Sequence, residues 1–219
     1  MNLGATAVCL LAMGLFAQPL MAADGPPAEL AALAEHHRAA KTLSGTFTYQ
    51  VRPILDGEAP SEPPRTGSFA IRAAGEYSIV VREAAGGAVD RWLSNGRNRW
   101  EISQLSPEDK ADIRGPFACD DGDADYRRIV ACLRLDLDTL AKDHVLGWAA
   151  NATGSILSIR PQNLDDQAKG PQVAAITIQL TTSGEPAVID LDHNDGNRWH
   201  IVLTTVKRDD PVEDRMFQP

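Results

Sequence analysis

The chain has 219 residues and a formal net charge of −9 at pH 7. Its length suits a single β-rich domain, and its negative charge disfavours nucleic acid and anionic lipid headgroups as partners, because like charges repel. All of this charge lies beyond the first 22 residues, which contain no Asp, Glu, Lys or Arg.

The N-terminus has the pattern of a secretory signal peptide. An apolar run from Ala7 to Ala17 is followed by Pro19 and the small-residue exit Leu20-Met21-Ala22-Ala23. The run is too short to span a bilayer, which needs about 20 apolar residues. It predicts a signal peptide over residues 1–22, with cleavage after Ala22 or, as the alternative, after Ala23, and one mature domain over residues 23–219. A buried N-terminal helix is the other interpretation of the run.

The next elements are a helix and a strand. Residues Pro26 to Thr42 have apolar side chains at helical spacing and predict an amphipathic helix on which His36 and His37 are solvated. From Gly45 the period changes to two, which predicts a strand that stops at Pro53. The proline-rich stretch Ile54 to Pro64 is typical of a loop.

Three hairpins follow from short-range signals. Alternating apolar residues on both sides of Gly75 indicate the first, and Asn95-Gly96, flanked by Trp92 and Trp100, indicates the second. Residues 194–197 separate the strands of the third. Further strands are expected at residues 144–149, 155–160 and 173–180. About ten evenly spaced strands predict one antiparallel sheet, strongly curved or partly closed.

One helix interrupts the strands. Apolar residues from Tyr126 to Ala141, including Ile129, Leu133 and Leu137, fall at the spacing of one helical face. Such a stripe is either ordinary core packing or the underside of a lid over the mouth of a curved sheet, and both interpretations stay open.

Cys119 and Cys132 are the two cysteines left after removal of the leader. In an oxidising compartment such a pair usually forms a disulfide. The pattern favours this bond over a metal or redox site, because two cysteines without a nearby histidine provide too few ligands.

No motif points to catalysis or to a cofactor. The sequence has no Gly-x-Ser-x-Gly elbow, no His-Glu-x-x-His pair and no phosphate-binding glycine loop. It is therefore predicted to be a non-catalytic protein without a metal or a cofactor.

The candidate binding residues are apolar. Those expected on the concave face of the sheet and the underside of the helix are Phe47, Tyr49, Phe69, Ile71, Tyr77, Ile79, Trp92, Trp100, Ile102, Ile129, Leu133 and Leu137. Each CH₂ group removed from water contributes about 0.8 kcal/mol, so an unfilled space among them would bind acyl chains. A core filled by its own side chains is the alternative.

Residues 43–219 resemble the LolA family of periplasmic outer-membrane lipoprotein carriers. Three segments carry the resemblance: residues 44–50 resemble the family's first strand, residues 92–100 its hydrophobic-Ser-Asp-Gly-x-x-x-Trp hairpin, and residues 187–219 its C-terminal pattern. The resemblance implies an α+β, mainly β fold, in which a strongly curved antiparallel sheet forms an unclosed half-barrel covered by a few helices.

The resemblance also implies a function. A periplasmic monomer would bind the acyl chains of a lipoprotein, or a related lipid, and carry them from an inner-membrane exporter to an outer-membrane acceptor. A sensor or interaction module on the same fold, which recognises a lipid or protein signal without transport, is the alternative. One departure concerns the family's Arg-Pro pair, which is tied to opening of the lid: this chain has Ala73-Ala74 there and places Arg72 one residue earlier, on the opposite face.

Overall fold

The computed structural model describes residues 26–54, 60, 62–72, 75–83, 87–119, 124–142, 144–161 and 173–219. The predicted signal peptide with its cleavage site and the Ala73-Ala74 pair lie outside the described residues.

The strands of the described chain form one antiparallel sheet. Their bounds are β1 Thr42–Pro53, β2 Arg65–Arg72, β3 Glu76–Arg82, β4 Val89–Asn95, β5 Asn98–Gln104, β6 Asp112–Ala118, β7 His144–Asn151, β8 Gly154–Pro161, β9 Val173–Leu180, β10 Pro186–His193 and β11 Asn197–Arg208. Their order in the sheet is β6-β5-β4-β3-β2-β1-β11-β10-β9-β8-β7. Strands β6 and β7 form its two edges, so within the described residues the sheet does not close. This confirms the predicted α+β, mainly β class with an unclosed half-barrel.

Strand β6 is absent from the sequence prediction. All of its residues except Phe117 are exposed, so it lacks the alternation of apolar and polar residues that marks a half-buried strand. Its central Gly115-Pro116 pair is also typical of a turn, and proline is tolerated in a strand mainly at a sheet edge, which is where β6 lies.

In the described part of the chain three α-helices cover one face of the sheet, which we call the inner face. They are α1 Ala28–Ala39, α2 Ala124–Arg134 and α3 Leu137–Ala141. The helix predicted between Tyr126 and Ala141 is thus divided in two. Leu135 adopts a left-handed φ of 48°. Asp136 is the N-cap of α3: its carboxylate accepts a hydrogen bond from the backbone N–H of Thr139 and a second one, of 2.7 Å, from the Thr139 hydroxyl. The cap at Asp136 starts a new helix, so α2 and α3 are separate although the apolar spacing alone predicts one continuous helix.

A C-terminal 3₁₀ helix, Asp214–Phe217, lies on the opposite, outer face against β3 and β4. Phe217 is buried there, as are Ala70, Ser78 and Leu93 of the outer face. The main hydrophobic core lies instead between the inner face and the three α-helices.

Candidate functional site

A cavity of about 170 Å³ lies between α2 and the inner face of the sheet. Helix α2 contributes Tyr126, Ile129 and Leu133 to its wall. The strands contribute the remaining lining residues, namely Phe47, Tyr49, Arg65, Phe69, Ile79, Val81, Asp90, Trp92, Trp199, Ile201 and Leu203. The wall is thus apolar and aromatic with one charged pair, a composition common in sites for small apolar ligands.

The floor of the cavity depends on two glycines. Phe47 on β1 pairs with Gly67 on β2, and Gly45 pairs with Phe69, so each phenylalanine lies opposite a glycine. A Cβ atom at Gly45 would come within 2.8 Å of the Phe69 ring, and one at Gly67 would collide with the Phe47 ring. The missing side chains therefore let both rings lie flat on the sheet, and space remains above them.

Aromatic rings form the rim beneath α2. Tyr126 stacks on Trp92 with ring centroids 4.2 Å apart and planes inclined by 20°. Trp199 lies 6.1 Å from Tyr126 and meets Tyr49 edge to face at 5.8 Å. Helix α2 is thus held over the cavity by a ring stack as well as by Ile129 and Leu133, which are buried against the sheet.

A partly solvent-exposed charged group forms part of the cavity wall, and we infer that it marks the opening. Arg65 Nη1 is 3.8 Å from Asp90 Oδ2, and Arg65 Nη2 donates a 2.9 Å hydrogen bond to Glu62 Oε2. Asp90 also accepts a 2.8 Å hydrogen bond from the Ser103 hydroxyl. The side chains of Arg65 and Asp90 are 27% and 30% exposed, so both reach solvent as well as the cavity wall.

Tyr49 lies between the charged group and the aromatic rim. Burial raises the pKa of its phenol to about 12; the Arg65 guanidinium lowers it, and the Glu62 and Asp90 carboxylates raise it further. Tyr49 is therefore neutral at physiological pH and can offer a hydroxyl group to the polar end of a ligand.

The structure brings seven of the predicted binding residues together around the cavity: Phe47, Tyr49, Phe69, Ile79, Trp92, Ile129 and Leu133. Ile71 and Leu137 are buried in the same hydrophobic core but do not line the cavity. Tyr77 is also buried and lines a second pocket instead.

Trp100 and Ile102 lie on the outer face, so the prediction that they lie on the concave face is wrong. In the β4–β5 hairpin Trp92 pairs with Glu101, and Trp100 pairs with Leu93. Paired residues of antiparallel strands share a face and neighbours along a strand alternate, so Trp92 and Trp100 point to opposite faces. The prediction assumed that Trp92 and Trp100 share a face, which this register does not allow.

Seven lining residues were missed by sequence reasoning: Arg65, Val81, Asp90, Tyr126, Trp199, Ile201 and Leu203. Trp199, Ile201 and Leu203 alternate on β11, which pairs with β1 next to Phe47 and Tyr49. That alternation was a usable signal, but the neighbourhood of β1 and β11 is a long-range pairing. Nothing in the sequence marks Arg65 and Asp90 as neighbours.

The two cysteines are free thiols, so the predicted Cys119–Cys132 disulfide is absent from the structure. Cys132 belongs to α2 and is fully buried in the hydrophobic core, and burial raises the pKa of its thiol to about 12. Cys119 instead lines the second pocket, of about 270 Å³, where its Sγ lies 3.3 Å from Ser94 Oγ. The two side chains thus occupy different environments, one apolar and one polar.

Within the described residues no group of three or more His, Cys, Asp or Glu side chains could hold a metal ion. An imidazole–carboxylate pair lies on the outer face, with His200 Nδ1 2.6 Å from Asp190 Oδ1. None of the described helices is both long enough and apolar enough to cross a membrane.

No protein-family model matches the sequence, and no curated protein matches it. Among solved structures, the chain is similar to a DUF1329 family protein from Desulfovibrio piger, with 12% identity, a TM-score of 0.44 and coverage of 87% of this chain and 95% of that chain. A putative outer membrane lipoprotein-sorting protein domain from Vibrio parahaemolyticus gives 8% identity, a TM-score of 0.41 and coverage of 87% and 95%.

A LolA superfamily protein from Nitrosomonas europaea gives 8% identity, a TM-score of 0.40 and coverage of 87% of this chain and 97% of that chain. The resemblance to LolA-type proteins expected from the sequence is thus found among solved structures. At these identities the likeness concerns the fold alone.

Proposed function

We propose that this protein is a periplasmic carrier that binds the acyl chains of a lipoprotein, or of a related lipid, in the cavity under α2. The observation that carries the proposal is an apolar, aromatic-rimmed cavity between a helix and an open sheet. The residues around it are those that favourably bury hydrocarbon, at about 0.8 kcal/mol for each CH₂ group.

The size of the cavity supports a cover that moves. Its volume of about 170 Å³ is close to that of a cavity that admits benzene, and below the range of roughly 300 to 1,000 Å³ usual for ligand pockets. On this proposal the structure is a closed form, whose cavity accepts only the end of a chain. A longer chain enters when α2 moves away from Trp92 and the sheet.

The cellular setting belongs to the same proposal. Residues 1–22 direct export and residues 23–219 form the mature domain, which works as a monomer without a cofactor or catalysis. An inner-membrane exporter supplies the acylated cargo and an outer-membrane acceptor receives it. These steps are supported by the leader pattern and by the three segments that resemble LolA-type carriers.

The test fills the cavity without weakening the fold. Val81 is 6% exposed and lines the cavity, so Val81→Phe places a ring in empty space. We expect this variant to keep its thermal stability and to lose at least tenfold in affinity for monododecanoylglycerol, measured by isothermal titration calorimetry. Val202→Phe is the matched control, because Val202 lies on the outer face, opposite Thr48 and Val188.

Equal binding by both variants, or no binding by the unaltered protein, would contradict the proposal. Transfer is tested separately with a fluorescent acyl lipid moved between donor and acceptor vesicles. Binding without transfer would favour the sensor or interaction module.

A further inference from the structure

The charged group at the cavity opening carries more negative than positive charge. Arg65 is in contact with two carboxylates, those of Glu62 and Asp90, so the three side chains sum to one negative charge at neutral pH. The next ion pair on the inner face of β5, between Arg99 and Glu101 at 2.7 Å, is internally balanced and does not offset this charge.

Both oxygens of Asp90 have partners. One accepts the Ser103 hydroxyl at 2.8 Å and the other faces Arg65 at 3.8 Å. Asp90 is therefore held in place at the opening, while Arg65 is already shared between two acceptors. An incoming carboxylate or phosphate would compete with both for one guanidinium and would lie close to their negative charges.

We propose that this opening makes the cavity selective for acyl chains with an uncharged or cationic head, such as esters, amides or amines, and disfavours free fatty acids and anionic phospholipids. The proposal rests on the proposed function and names the ligand class of the same site. The formal net charge of −9 acts in the same direction, because it repels anionic headgroups before they reach the opening.

The experiment compares three ligands that share a twelve-carbon chain and differ in head charge. They are dodecanoate, monododecanoylglycerol and dodecylammonium, each used below its aggregation concentration at pH 7.5. A carboxylic acid and an alkylamine both carry their full charges at this pH. We expect the neutral and cationic ligands to bind about tenfold more tightly than dodecanoate at low salt, a ratio that falls toward one in concentrated salt.

Two variants assign the selectivity to the opening. Asp90→Asn is expected to bring the affinity for dodecanoate close to that for the neutral ligand. Glu62→Gln, at a side chain 47% exposed, should act in the same direction and serves if Asp90→Asn destabilises the fold. Asp210→Asn is the matched control, because it removes a carboxylate far from the opening. Asp210 lies beside Thr42, which is seven residues, or roughly 23 Å, along β1 from Tyr49.

The outcomes separate the two proposals. Equal or tighter binding of dodecanoate by the unaltered protein would overturn the charge selectivity and leave acyl binding intact. A preference that Asp90→Asn and Glu62→Gln both leave unchanged would also overturn it. Failure of all three ligands to bind would instead remove the proposed function itself.

Discussion

At the scale of single residues, the cavity exists because two positions lack a side chain. Gly45 and Gly67 lie opposite Phe69 and Phe47 and allow the two rings to cover the neighbouring backbone. Glycine weakens a strand, but an aromatic ring packed over it compensates for part of that loss. The pairs therefore combine a stable sheet with a low floor to the cavity.

Replacing Gly67 by alanine is predicted to weaken both folding and binding. The new Cβ would clash with the Phe47 ring and force it out of its present packing on the sheet, and such steric strain typically costs about 1–3 kcal/mol of unfolding free energy. Chemical denaturation and calorimetry with monododecanoylglycerol measure the two effects. Gly87→Ala is the control, because its Cβ would meet only the flexible Glu83 side chain. An unchanged stability of Gly67→Ala would show that the ring moves aside freely.

At the scale of elements, the C-terminal 3₁₀ helix holds the outer face. Arg91 Nη2 donates to the carbonyl oxygen of Met216 at 2.6 Å, and Arg72 lies 4.5 Å above the ring of Phe217 while pairing with Asp214 at 2.7 Å. Arg72, predicted to lie on the face opposite to that of the family's arginine, thus holds this segment against the sheet. It therefore lies on the face of the sheet opposite α2 and the cavity.

Phe217→Ala is predicted to destabilise the protein by about 3 kcal/mol, because it removes a buried ring that covers β3 and β4. Urea denaturation measures the change. The exposed neighbour Arg215 is the control, and Arg215→Ala should stay within about 0.5 kcal/mol of the unaltered protein. Similar values for the two variants would mean that the segment contributes little to stability.

At the scale of the whole molecule, one buried histidine joins elements that are far apart in the sequence. His37 of α1 is 2% exposed, in contrast to the predicted solvated side chain. Its Nε2 lies 3.0 Å from the carbonyl oxygen of Gly184 in the β9–β10 turn and 2.7 Å from Nη2 of Arg208 on β11. Arg208 also pairs with Glu185 at 2.9 Å.

This junction predicts a loss of stability in mild acid. Burial is the main cause that lowers the pKa of His37; the Gly184 carbonyl and Glu185 raise it, and Arg208 and His36 lower it. The unfolded chain therefore takes up a proton near the ordinary histidine pKa of about 6.5, before the folded chain does. The free energy of unfolding should be highest above that pH and decline as the pH falls from there through the lowered pKa.

Thermal unfolding between pH 8 and pH 5 measures this decline. His37→Gln should flatten the profile over that window, whereas His36→Gln should keep its slope, because His36 is exposed on the same helix. The same slope in all three proteins would assign the acid sensitivity to other groups.

The strands and helices were largely predictable from local patterns. Alternation gave ten of the eleven described strands, and the Asn95-Gly96 signal placed the β4–β5 hairpin. The exposed edge strand β6 and the break at Leu135 escaped prediction. Strand β6 lacks a buried face, and the break at Leu135 depends on the cap that begins α3.

The class of fold, the negative charge and the apolar character of the inner face can be derived from the sequence alone, because they follow from composition and from a period of two or 3.6 residues. The folded chain was needed to see which aromatic residues share the cavity, that Arg65 and Asp90 meet at its opening, that His37 is buried and that Cys119 and Cys132 are separate thiols. The physical reason is register. A shift of one residue in a hairpin moves a side chain to the other face, and contacts between strands distant in the sequence leave no local pattern.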